Sequence, residues 1–453
     1  MTEYITEVSK YIITVLMALY TLCGFMCLTD KLEKKKFLYI IQNIFMFFMQ
    51  FLMFLDLTLV SRDLEYVFLY VFVQVFLLAA VVMVPAIYEK ANRLLLNHMC
   101  MMLGLGLCMV SRLSFRRAIK QYIIVLASLA VSLFIPWLLS RIRFWKKLTW
   151  VYGTAGIVML GSVLILGEVT YGSKISFSVG DIAFQPSEFV KIIFLFFLAG
   201  ALWKKTDFWQ VALTAVFAGL HVVILVVSKD LGSALIFFVG YVLVVFAATR
   251  NYLYLLAGVI GGSGAAWVAY KLFAHVRNRV LAWKDPWKYI DSKGYAITQS
   301  LFAIGTGSWF GMGLLKGNPS AIPLVEQDFI FSSICEELGV IFGCCLILLM
   351  LVCFLCMIKM SAKIKDRFYQ LIVYGIGVMY IFQIFLTIGG GIKLIPLTGV
   401  TLPFISYGGS SVMTTMIMFF LVQGIYIRLQ QEGEKRNVNE ASQPNADTEG
   451  DGD

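Results

Sequence analysis

The sequence predicts an all-α polytopic membrane protein, and three observations carry that reading. Of 453 residues, 60% are hydrophobic and only 14% charged, a balance outside the range of soluble globular domains. The apolar residues gather in thirteen runs of roughly 20 residues, the length a helix needs to cross a bilayer. The runs are continuous rather than alternating, which excludes a transmembrane β-barrel. In hydrocarbon a helix pairs its backbone amides within one run.

In order, the runs lie near 5–28, 37–60, 66–88, 94–111, 119–140, 149–168, 187–203, 208–228, 231–249, 252–274, 329–358, 368–391 and 404–427. The first is long and leads into a basic loop, so it reads as a retained helix and not a cleaved signal peptide. The eighth and ninth almost touch at Lys229-Asp230. A long polar loop, 275–328, separates the tenth from the eleventh. From Gln430 the chain is polar, acidic and free of aromatic residues, a composition that buries no core and predicts a disordered tail over 429–453.

Lys and Arg in short loops set the orientation. One alternate set holds Lys31, Lys34, Lys35 and Lys36; Lys90 and Arg93; Arg141, Arg143, Lys146 and Lys147; Lys204 and Lys205; Arg250; Lys359, Lys363, Lys365 and Arg367; and Arg428. The other set has Arg62, Lys174, Lys229 and Lys393, with one basic exception from Arg112 to Lys120. The richer set is expected in the cytoplasm. The N-terminus, the 169–186 loop and the 275–328 loop then face outward, and the C-terminus lies inside. The net charge of +10 reports those inner loops, not nucleic acid. Nine cysteines, all within apolar runs, and three scattered histidines give no metal or redox pattern. Cys353 and Cys356 read as small apolar residues of a helix.

Ionisable groups at membrane depth are functional candidates. Pro186-Ser187-Glu188-Phe189-Val190-Lys191 opens a helix, and Glu188 and Lys191, three apart, share a face. They read equally as an ion pair that makes the helix insertable or as a polar notch in a substrate groove. Ser228-Lys229-Asp230-Leu231-Gly232-Ser233 reads first as a tight turn with Asp230 at a helix N-terminus. The 275–328 loop carries Arg277, Arg279, Asp285, Lys288, Gln299, Lys316 and five glycines from Gly305 to Gly317, and ends on Glu326-Gln327-Asp328. Those glycines are a weak signal for phosphate cradling, because no strand precedes them. An Asp at that boundary sits where water gives way to hydrocarbon, or caps a helix starting at Phe329. Near the end, Gly389-Gly390-Gly391 and Thr401-Leu402-Pro403-Phe404-Ile405-Ser406-Tyr407-Gly408-Gly409 break helices. Irregular backbone at membrane depth lines a cavity or a buried seam.

FQPSEFVKI, KDLGSAL, Arg277-x-Arg279 with Asp285-Pro286, TQSLFAIGTG, QDFIFSSICEELG and TLPFISYGGSS occur in that order. Together they resemble the SEDS family (shape, elongation, division and sporulation), which includes FtsW, RodA and SpoVE. The resemblance covers roughly 94–428 as a ten-helix core, leaving 1–93 as an extension of about three further transmembrane helices. It implies a peptidoglycan glycosyltransferase of the bacterial cytoplasmic membrane that polymerises lipid II, an undecaprenyl-diphosphate-linked disaccharide pentapeptide, at the outer face. It implies Asp328 as the essential carboxylate, and Glu188, Lys191 and Asp230 as the other matching ionisable residues. It also implies a class B penicillin-binding protein as partner. Gln327, Lys229 and Ser233 depart from the family's Thr, Pro and Thr. The Thr401–Ser406 and Gln299–Leu301 segments look more like FtsW or SpoVE than RodA.

Joining two lipid-linked sugars requires a hydroxyl to lose its proton as it attacks an anomeric carbon. A diphosphate departs as an anion and needs no general acid, so one carboxylate base suffices. Asp328 is expected in that role. Arg277, Arg279, Lys288 and Lys316 are candidates for the diphosphates. Gln299 and Ser406 are expected to line the substrate site with them. A divalent cation, Mg or Mn, could share that work, although no ligand cluster declares itself; no other cofactor is expected. A lipid-linked precursor flippase also suits broken helices and midplane charges, but no inverted repeat is visible. A non-catalytic scaffold for a penicillin-binding protein is the other rival.

Overall fold

The computed structural model describes residues 2–29, 35–142, 144–170, 173–179 and 182–441. Lys31, Lys34, Arg143 and residues 442–453 of the expected tail lie outside them. The chain runs α1 (Thr2–Leu28), α2 (Lys35–Ser61), α3 (Glu65–Ile87), α4 (Arg93–Leu113), α5 (Phe115–Arg141) and α6 (Thr149–Leu166). A small antiparallel sheet follows, β1 (Glu168–Thr170), β2 (Ser173–Val179) and β3 (Ile182–Phe184), with Phe177 opposite Phe184. Then come α7 (Pro186–Leu202), α8 (Phe208–Val227), α9 (Leu231–Thr249), α10 (Tyr252–Leu272), α11 (Ala274–Lys284) and α12 (Tyr295–Gly307). The last four are α13 (Ile330–Leu338), α14 (Val340–Lys363), α15 (Arg367–Gly391) and α16 (Gly409–Ala441). The fold is all-α and polytopic. Among the described residues, twelve helices are long and apolar enough to cross a membrane. The 17-residue α7 fills the place of the seventh apolar run.

The structure differs from the sequence reading at four places. The run expected over 329–358 is two helices, because Gly339 takes φ 90° and ψ 163°, a conformation that is essentially confined to glycine and costs other residues about 1–3 kcal/mol. The 275–328 loop folds into α11, α12 and short turns. The 169–186 loop carries the three strands. The last helix continues to Ala441, so 429–441 of the expected tail is helical.

The two ends of the bundle follow the alternation of the loops. At one end Lys146 Nζ pairs with Asp366 Oδ2 at 2.7 Å, Lys90 with Glu434, and Arg428 with Glu432 at 3.0 Å. At the other end the 275–328 segment meets the start of α1, where Lys316 Nζ lies 3.6 Å from Glu7 Oε2.

Helices α1–α3 do not stand apart from the rest. α1 packs along α14, and α2 and α3 pack on α4, so α4 is buried along its whole apolar length. Polar pairs stitch this seam: Tyr20 Oη to His98 Nδ1 at 3.1 Å and Asn97 Nδ2 to Gln42 Oε1 at 3.3 Å.

Candidate active site

Asp328 lies at the mouth of the broken run, just before α13. It is half-buried, and its backbone N–H donates to Leu324 O at 3.2 Å. Phe329 occupies the N-cap position of α13 and no side chain caps the helix, so the capping alternative for Asp328 does not apply. The Asp328 carboxylate instead faces Gly399, in the segment between α15 and α16. A β-carbon placed on Gly399 would lie 3.6 Å from Asp328 Oδ2 and 3.8 Å from Arg279 Nη2. Gly399 has φ 74°, so a glycine both makes the turn and leaves room for the two charges. Burial pushes the Asp328 carboxyl up to about 6, against the pull of Arg279 and with a further push from Glu326.

Arg279 comes from α11. Its Nη1 donates to Thr398 O at 2.9 Å and to Leu397 O at 3.3 Å, fixing the turn that carries Gly399. Burial lowers its pKa, and Asp328 and Asp230 oppose that shift; a guanidinium in such company keeps its charge.

Behind this pair lies a buried polar layer. Asp230 caps α9 by accepting from Ser233 N at 3.1 Å. It also accepts from Ser187 Oγ at 3.2 Å and Gln185 Nε2 at 3.3 Å. The tight-turn reading therefore holds, and the same carboxylate joins α9 to the start of α7. Glu188 and Lys191 pair at 2.8 Å, both buried. Lys191 Nζ also donates to Gln383 Oε1 at 2.9 Å, and Gln383 Nε2 donates to Thr401 O at 3.0 Å. The ion pair thus ends on the backbone that follows Gly399.

Ser406 supports the other flank. Its Oγ donates to Gln327 O and accepts from Leu402 N at 2.8 Å, tying the residue before Asp328 to the last segment. Tyr407 N donates to Glu326 O at 2.7 Å. The remaining expected residues lie elsewhere. Arg277 is exposed on α11 and makes no side-chain hydrogen bond or ion pair among the described residues. Lys288 is exposed. Gln299 and Lys316 line a separate small pocket.

Sequence reasoning missed three supports. Arg117 pairs with Glu326, and Arg112 Nε pairs with Glu337 Oε1 at 2.7 Å. These pairs account for two residues of the basic exception in the charge pattern: Arg117 and Arg112 neutralise carboxylates of the long loop and of α13. Gln121 donates to Ser406 O at 3.0 Å and accepts from Gly408 N at 3.1 Å. Within the glycine cluster Gly307, Gly311 and Gly317 sit where a β-carbon would collide with its neighbours. A β-carbon on Gly307 would fall 2.0 Å from Cys335 O, where the loop wraps the α13–α14 break.

A groove of about 620 Å³ runs from the membrane-facing side of α8–α10 to Arg279. Its walls are almost wholly apolar, and Arg279 is the charged residue among those lining it. The groove exists because α10 packs mainly on α9 and α11 and has no fully buried residue. Among the described residues no group of three or more His, Cys, Asp or Glu is placed to hold a metal ion. Asp328 faces a guanidinium, a donor set that does not suit a protein-held divalent ion.

The fold and sequence match known proteins. The chain is 31% identical to the peptidoglycan glycosyltransferase RodA of Mycobacterium leprae, over 73% of this chain and 77% of that one. It is 36% identical to a probable peptidoglycan glycosyltransferase FtsW of Shewanella sediminis, over 58% and 67%. With stage V sporulation protein E of Bacillus subtilis it shares 35%, over 62% and 79%. A solved structure described as "Structural coordination of polymerization and crosslinking by a peptidoglycan synthase complex" superposes with TM-score 0.64 at 25% identity, over 75% of this chain and 99% of that one. RodA of Thermus thermophilus superposes with TM-score 0.57 at 24% identity, over 74% and 96%. The family model for FtsW, RodA and SpoVE, described as cell cycle protein, matches residues 92–431, and the chain belongs to that family.

Proposed function

We propose that this protein is a peptidoglycan glycosyltransferase that polymerises lipid II, with Asp328 as the base. The observation that carries the reading is the placement of Asp328 beside Arg279, where an apolar groove about 620 Å³ in volume ends. The near end of a polyprenyl tail suits the apolar lining of the groove, and its diphosphate then reaches the guanidinium. The acceptor hydroxyl gives its proton to Asp328. Its oxygen bonds to the donor's anomeric carbon as the bond to the diphosphate oxygen breaks, and the electron pair leaves with the diphosphate. Arg279 stabilises that growing charge. A carboxyl raised to about 6 is ionised at neutral pH yet basic enough to take a proton. Glu188, Lys191, Asp230 and Ser406 hold the surrounding backbone, and Asp230 adds negative charge near Arg279.

In this reading the large loop and the N-terminus face outward and the C-terminus faces the cytoplasm, as the loop charges favour. Residues 1–93 form an extension on a core over 94–428. A class B penicillin-binding protein crosslinks the strands; the similarity to a complex that couples polymerisation and crosslinking supports that partner.

Purified protein incubated with lipid II should make glycan strands, with and without the cognate penicillin-binding protein. Asp328→Asn should lose about 100- to 10,000-fold in rate. Wild-type polymerisation by Asp328→Asn would overturn the base assignment. Transport of lipid II across liposomes without polymerisation would favour a flippase instead.

A further inference from the structure

Glu336 lies near the far end of α13 from Asp328 and has no part in the chemistry above. It is 5% exposed. Its Oε1 accepts from Asn318 N at 2.9 Å. Its Oε2 is buried and has no hydrogen-bond partner among the described residues. The side chain lines a cavity of about 280 Å³ between α12 and the 312–322 segment. Gln299 adds a polar wall, and Phe302, Met312 and Ile322 add apolar ones.

An unpaired carboxylate oxygen in a buried site is costly until a donor reaches it. Apolar walls with one anionic end suit a primary ammonium on an aliphatic stem. The cation that the pocket itself carries points elsewhere, because Lys316 Nζ sits 3.6 Å from Glu7 Oε2. Lys316 thus lies at the rim, and no cation of the described residues pairs with Glu336 Oε2.

We propose that this pocket binds the free amine of the stem peptide on the lipid-linked disaccharide, with Glu336 as its counter-ion. The inference rests on the glycosyltransferase reading. The reach is suitable. From Ile330 to Glu336 the helix rises about 9 Å, and three residues of extended peptide span about 10 Å. The ammonium donates to Glu336 Oε2 while its methylenes lie against Phe302 and Met312. The pocket then selects the stem peptide while Asp328 handles the sugar.

The test uses the full chain carrying Asp328→Asn, in nanodiscs. Two ligands are compared: lipid II with its stem amine free and the same lipid with that amine acetylated. The free-amine lipid should bind about tenfold more tightly, the worth of one hydrogen bond to a charged group. Adding Glu336→Gln should abolish the difference. Thr306→Trp, at an exposed rim position, should also abolish it while leaving the buried carboxylate intact. Glu7→Gln should release Lys316 into the pocket and weaken only the free-amine lipid. Equal affinity for the two lipids in the Asp328→Asn protein overturns the proposal and leaves a protein lysine as the rival occupant. A Glu336→Gln loss that falls equally on both lipids overturns it too, because that is what a structural role gives. Preferential binding in a protein whose wild type makes no strands upholds the amine site and overturns the glycosyltransferase reading.

Discussion

Arg279 and Asp328 both reach Gly399, at 3.8 Å and 3.6 Å from where its β-carbon would stand. Neither side chain spends its charge in a close ion pair with the other. Arg279 is anchored instead to two carbonyls of the same turn. In the proposed reaction Asp328 takes the acceptor's proton and Arg279 meets the diphosphate.

The first prediction concerns pH. With the Asp328 carboxyl at about 6, kcat/KM should fall as pH drops through about 6, tenfold per unit below it. The stability effect has the opposite sense. The folded value lies above the ordinary 3.8, so the folded protein binds this proton more tightly than the unfolded chain. The associated stability is present below about pH 4 and is lost as pH rises to about 6. Asp328→Asn should therefore melt higher than wild type at pH 8 in detergent, with the difference gone below pH 4. A Tm for Asp328→Asn below wild type at pH 8 would contradict the burial argument.

Arg279 lowers the Asp328 pKa, so removing it should move the acidic limb of the rate profile to higher pH. Arg279→Met should also lose about 100-fold in rate at neutral pH, the usual cost of deleting a donor aimed at developing charge. Arg277→Met should stay close to wild type, since that side chain is exposed. Equal losses for the two variants would argue that the arginines act only as surface charge. Polymerisation rates measured across pH separate these outcomes.

The contrast between the two arginines shows what the sequence could reveal. Two residues apart on a helix point about 200° from each other, so only one of them could face the groove. That signal appears once 274–284 is read as a helix rather than a loop. The spanning helices were legible because apolar length is a local property. The α13–α14 break was not, because apolar residues run on either side of Glu336-Glu337 and one glycine makes the turn. Asp328 stood out as an acid at an apolar boundary, whereas Gly399 and Gln383 carried no comparable mark. Arg112 and Arg117 stood out only as a charge anomaly, because their partners lie more than 200 residues away.

The Arg112–Glu337 pair anchors the broken run. Glu337 is fully buried, and Arg112 Nη2 also donates to Gly317 O at 3.0 Å. Arg112→Ala leaves a buried carboxylate without its counter-charge and should cost about 3–5 kcal/mol. Adding Glu337→Gln to Arg112→Ala should restore part of that stability, because the amide has no charge to strand. Thermal unfolding of the single and double variants reads the difference. No recovery in the double variant would place the role of Arg112 in its bond to Gly317 rather than in the ion pair.

Glu188 and Lys191 pose the same question nearer to Asp328. Lys191 is fully buried and reaches the Gly399 segment through Gln383. That path makes Lys191 a positioning residue, so losing its charge should matter mainly by stranding Glu188. Lys191→Met should lower Tm and reduce polymerisation at least 100-fold. The double variant Glu188→Gln with Lys191→Met removes both charges together. It should recover Tm and regain at least a tenth of the wild-type rate, with KM for lipid II raised more than kcat is lowered. A double variant that recovers Tm but stays inactive would instead put one of these two charges against the substrate. Tm and the split between KM and kcat, measured on the same preparations, decide between the two roles.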